Sequence, residues 1–123
     1  MPYKIVVKSV PRFLPEHSSP DQRQYVFAYT ITIENHGLQK AQLISRHWII
    51  SDEQQGIQEV RGQGVVGEQP TLAPGQSYTY TSGATLTTPI GTMKGSYQFL
   101  GEDGHQFDVD IPEFLLAVPS KLH

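Results

Sequence analysis

Between Gln24 and Glu34 lies the clearest alternation in the chain: Tyr25, Phe27, Tyr29, Ile31 and Ile33 fall on one face, with Gln24, Thr30, Thr32 and Glu34 opposite. Successive side chains of a β-strand point to opposite faces, so this pattern predicts a half-buried strand and not a helix. The signature recurs. Tyr3–Val10 is a β-branched run with Ile5 and Val7 toward the core and Lys4 and Lys8 together on one face. Gln42–Ser51 carries Leu43, Ile44, Trp48, Ile49 and Ile50, which leave neither face polar. That is expected of a central strand covered on both sides, with Trp48 buried as the largest ring available to the core. Ile57–Arg61 reads as a short strand, and Gln76–Gly83, Thr92–Leu100 and Gln106–Ile111 alternate again.

Turn chemistry separates these runs: Asn35-His36-Gly37, Asp52–Gly56, Leu72-Ala73-Pro74-Gly75 and the hairpin Glu102-Asp103-Gly104. Pro11, Pro15 and Pro20, with Ser18 and Ser19, mark an irregular connection after the first strand. The tail from Pro112 to Pro119 holds Phe114, Leu115, Leu116 and Val118, apolar enough to cover one edge of a sheet. No stretch sustains a helical period. Seven to eight short strands in 123 residues predict one all-β domain, residues 1–123: an antiparallel β-sandwich with no long helix. The Cys…Trp…Cys pattern of immunoglobulin domains is absent, which favours a fibronectin type III-like sandwich.

Composition narrows the function. A net charge of −3, a pI near 5.9 and the lack of a basic cluster argue against nucleic acid or an anionic membrane as partner. With no cysteine, disulfides, thiolate metal sites and cysteine nucleophiles are excluded. The N-terminal MPYKIVVKSV has no signal-like apolar core and no run approaches a membrane span, so a cytoplasmic protein is expected.

Gly62, Gly64 and Gly67 spell a G-x-G-x-x-G string. A dinucleotide site needs a helix after such a string, whose N-terminus holds the pyrophosphate, and an acidic residue about 20 positions on. Here Glu68-Gln69-Pro70 and Leu72-Ala73-Pro74-Gly75 follow, and the distant position is Thr87. A turn or bulge between strands is the expected role, with a loose nest of amides for some anion as the alternative. His17, His36, His47, His105 and His123 show no metal-ligand spacing; Asp103 and His105 are the weak metal candidates, on a solvated hairpin. His47, between Arg46 and Trp48, reads as structural, and Asp108 and Asp110 as a solvated strand face. No serine sits in a nucleophile elbow. Neither an enzyme nor a cofactor is expected, and NAD, FAD and ATP should not bind tightly.

The segments Gly64–Gly67, Leu72–Gly75, Tyr80–Gly83 and Thr88–Phe99 (TPIGTMKGSYQF) resemble the bacterial ApaG family, and the likeness runs from the first strand to the IPEFLLAVP tail. The resemblance implies a fibronectin type III fold. It also implies a small cytoplasmic protein linked to cobalt and magnesium tolerance and, by gene neighbourhood, to dinucleotide polyphosphate metabolism. Eukaryotic relatives, F-box and polymerase-interacting proteins among them, use the domain as a binding module. The expectation is therefore a non-catalytic module for a protein partner, reached through exposed strand edges and shaped loops. The alternatives are a phosphate or dinucleotide polyphosphate ligand at Gly62–Gly67 and a metal response at Asp103 or His105. Arg61, Glu68, Thr88 and Lys94 are the candidate partner residues. Their segments, Arg61–Gln69 and Thr85–Lys94, are expected together at one end or along one edge of the fold.

Overall fold

The computed structural model describes residues 3–54 and 56–121. Eight antiparallel strands form two sheets: β1 (Ile5–Phe13), β2 (Tyr25–Asn35), β3 (Ala41–Asp52), β4 (Ile57–Gln63), β5 (Thr71–Leu72), β6 (Ser77–Leu86), β7 (Ile90–Gly101) and β8 (Gln106–Ala117). The first sheet has the order β1-β2-β6; the second has the order β4-β3-β7-β8, with β5 on β3 beyond β4. There is no α-helix among the described residues, only short 3₁₀ turns at Pro15–His17, Pro20–Gln22 and Pro119–Lys121. The all-β sandwich read from the alternation is the fold observed.

Both sheets turn their apolar faces inward. Phe27, Tyr29, Ile31 and Ile33 of β2 meet Leu43, Trp48 and Ile50 of β3 and Met93, Tyr97 and Phe99 of β7 in one core. Trp48 is 2% exposed, as expected, and its ring lies 5.3 Å from Tyr29 and 5.9 Å from Phe114. Tyr80 and Tyr97 share a hydroxyl–hydroxyl hydrogen bond inside the core, and burial pushes both phenols well above the usual tyrosine range.

Three expectations are corrected. Pro11 does not end the first strand: β1 continues to Phe13, with Pro11 opposite Tyr29. An edge strand tolerates proline, because no ladder hydrogen bond is needed on its open side. The tail does not cover an edge but is one. Phe114–Ala117 continues β8 beside Ile90–Met93, past a bulge at Pro112 and Glu113. And β3 is central but, among the described residues, covered on one side only, by the first sheet through Trp48 and Ile50; Ile44 and Ile49 are only half-buried.

β4 stands out at the other edge. Its residues are exposed on both faces, including Gln58 and Val60, which share the inward face with Ile50 and Trp48. The three-stranded sheet is too narrow to cover it.

Candidate functional site

Gly62 lies within β4, opposite Arg46, and a Cβ there would stand 2.8 Å from the Arg46 guanidinium. The bare backbone makes room for that group, whose Nη1 donates to the carbonyls of Gln63 (3.0 Å) and Gly64 (2.9 Å). The chain then makes a tight turn. Val65 N donates to Glu68 O (2.8 Å), Glu68 N donates to Val65 O (2.9 Å), and the central residues Val66 and Gly67 both take positive φ. Gly64 also has φ +63, and its amide donates to Ile44 O (2.8 Å). Val65 itself is fully buried. The glycine string is thus a strand followed by a two-residue turn. The Gly64, Val65 and Glu68 amides are bonded to backbone carbonyls, so the turn is closed by its own backbone.

The second segment sits elsewhere. Thr88 is only 5% exposed; its hydroxyl accepts from Glu53 N (3.1 Å) and donates to Ile90 O (2.8 Å). Thr87 donates to Asp52 (3.2 Å), whose carboxylate also accepts from Gln54 N and Gly56 N. Those bonds, that from Gly56 foremost, hold Asp52 below the usual carboxylate range. This connection is therefore tied to the Asp52 end of β3, whereas the glycine turn is tied to Ile44, eight positions along the same strand by number, roughly 26 Å at strand rise. The tips of Arg61–Gln69 and Thr85–Lys94 lie at opposite ends of the sheet, contrary to expectation. Thr88 is a buried latch and not a surface residue, and Glu68 belongs to the turn.

Only the strand portions of the two segments converge. Arg61 pairs with His47 and Lys94 with Ile49, so all four point to the outer face of the larger sheet. Glu59 joins them, its carboxylate 3.2 Å from His47 Nε2. Next to them a groove of about 430 Å³ runs past Lys94, Ser96, Asp110 and Glu113. Further along the same face a second groove, about 650 Å³, is lined by Ile44, Leu100, Gln98, Gln106 and Asp108. Ile44 is the extra residue of a β3 bulge against β7, between Leu43 and Ser45, placed beside that groove. The sequence carried a partial signal for this face: His47 and Ile49 alternate with Trp48 and Ile50. The bulge and the order of strands have no local signature.

Asp103 and His105 are occupied at the far hairpin. The Tyr3 hydroxyl donates to Asp103, which also accepts from His105 N (3.0 Å); the tyrosine bond foremost holds its carboxyl below the usual range. His105 stacks on Tyr3 and Phe107 (centroids 5.9 and 5.8 Å). The pair thus joins the stretch before β1 to the β7–β8 hairpin. Among the described residues no group of three or more His, Asp or Glu is placed to hold a metal ion. His123 lies outside the described residues.

Residues 15–101 match the family model for the ApaG domain. The chain is 60% identical to Protein ApaG of Dechloromonas aromatica, over 98% of this chain and 95% of that protein. It is 59% identical to Protein ApaG of Bordetella pertussis, over 99% and 93%. Among solved structures, a Bordetella pertussis protein described as ApaA superposes with a TM-score of 0.94 at 59% identity, covering 96% of each chain. An X-ray structure of a structural-genomics target gives 0.91 at 44% identity, covering 97% of this chain and 90% of that one. Likeness of this extent, over the sandwich and its turns alike, makes the chain a member of the ApaG family.

Proposed function

We propose that the protein is a cytoplasmic, non-catalytic binding module, fibronectin type III-like in its strand plan, that recognises a protein partner across the outer face of the β4-β3-β7-β8 sheet. One observation supports this above the others. Among the described residues that face has no second layer over it, yet it sets half-buried Ile44, Ile49 and Leu100 among Arg61, Lys94, Asp108 and Asp110 and dips into two grooves. A sheet face meant only for water alternates to polar residues throughout. An apolar centre inside a charged rim is the composition of a recognition surface. The link to cobalt and magnesium tolerance that the family resemblance implies is then exerted through the partner.

The test is affinity capture from lysate of the native host, with the intact protein as bait. Leu100→Asp and Lys94→Glu should each reduce recovery of the partner by about tenfold, the size of a modest interface contact. Lys8→Glu, on the other sheet, should leave recovery unchanged. Equal recovery with all three baits would sink the reading.

A further inference from the structure

The free edge of β4 carries a pattern that the outer-face reading does not use. Asp52 N donates to Gly56 O and Gly64 N to Ile44 O, so even-numbered residues of β4 exchange hydrogen bonds with β3. By alternation, Ile57, Glu59 and Arg61 direct their N–H and C=O groups away from the sheet, as does the N–H of Gln63, whose C=O accepts from Arg46 Nη1. Two other edges are blunted. Pro11, Lys8 and Arg12 lie along β1, and Pro112 interrupts β8. β6, the remaining edge, carries no charge that could set a register. β4 has no proline and is exposed on both faces.

We infer that this edge is the pairing site for a second copy of the chain, joined antiparallel about a two-fold axis at Val60. The register follows from the charges. Only outward-directed, odd-numbered residues can exchange hydrogen bonds across the new pair, which restricts the axis to an integral position. An axis at Glu59 sets Glu59 against Glu59, and an axis at Arg61 sets Arg61 against Arg61. An axis at Val60 sets Glu59 against Arg61 twice, on the same face, which is the favourable cross-strand arrangement. Those two pairs alone supply about four backbone hydrogen bonds. On the opposite face Val60 meets Val60, giving this 37%-exposed side chain an apolar neighbour. The interface is isologous, as a closed dimer requires. It makes the two outer sheet faces one continuous surface.

Sedimentation of the full chain from roughly 1 to 500 μM tests this directly. The expected result is reversible dimerisation. Glu59→Arg or Arg61→Glu should each raise the dissociation constant by about tenfold or more, since attraction becomes repulsion in two pairs. The double exchange Glu59→Arg with Arg61→Glu should restore it, and unchanged melting temperatures show that all variants remain folded. Register is read by cross-linking, aided by the absence of native cysteine. Val60→Cys should form an intermolecular disulfide under mild oxidation, because facing residues of a non-hydrogen-bonded pair stand about 4.5 Å apart at Cα. Gln58→Cys, about 14 Å from its symmetry mate at strand rise, should not. A wild-type chain that stays monomeric at the highest concentration overturns the inference. So does dimerisation that the double exchange fails to rescue, or a Gln58→Cys cross-link in place of the Val60→Cys one.

Discussion

Trp48 is the only tryptophan in the chain and packs edge-on against both Phe114 and Tyr97. Removing its ring would leave a hole that four strands border and none can easily fill. Trp48→Ala is expected to destabilise the fold by about 3–5 kcal/mol in urea unfolding, and native emission should be well to the blue of indole in water. Asp103 makes a prediction of a different kind. Its folded pKa is depressed, chiefly by the Tyr3 hydroxyl, so its contribution is present above the ordinary carboxylate pKa and is lost as pH falls through the folded value. Melting temperature should therefore decline on acidification below about pH 4, and Asp103→Asn should make that decline shallower. An unchanged acid limb would show that the contact contributes nothing. At this scale the sequence was legible for Trp48 and silent for Thr88. A buried ring announces itself by its apolar neighbours. A buried hydroxyl satisfied by one amide and one carbonyl looks like any surface threonine.

Strands were legible because each inner strand has one face in the core, and alternation records that. What alternation cannot record is which strand lies at an edge. Hence Pro11 looked like a terminator, and the bulged half of β8 looked like a separate tail. The two-residue β5 is too short to show any period. The candidate site suffered most. Arg61 and Lys94 share the outer face of one sheet, but their loops sit at opposite ends of β3, since strand order is a non-local property. Thr88 gives the connection between β6 and β7 its fixed position by gripping the Glu53 amide across the β3–β4 turn. Thr88→Val leaves that amide without its acceptor and should cost about 1–3 kcal/mol. Hydrogen exchange should speed up at Glu53 while the β2 amides stay protected; equal exchange in both proteins would count against the latch.

On the scale of the molecule, neither sheet is made of neighbours in sequence alone. β2 is flanked by β1 and by β6, and β3 by β4 and by β7. The central strands thus wait for partners made much later: a ribosome must release the chain through Leu86 before β2 has both neighbours, and through Gly101 before β3 has both. Until then β2 and β3 each have an open side rich in Ile, Tyr and Trp, the very composition that joins strands of different chains. Such topologies fold on the millisecond-to-second scale, and stopped-flow refolding followed by Trp48 emission should fall in that range, not in microseconds. The nascent chain therefore has a window of vulnerability, and its length is set by the distance from β3 to β7. The finished sandwich owes its stability to these late pairings, and during synthesis the same arrangement makes the half-made protein dependent on whatever keeps neighbouring chains apart.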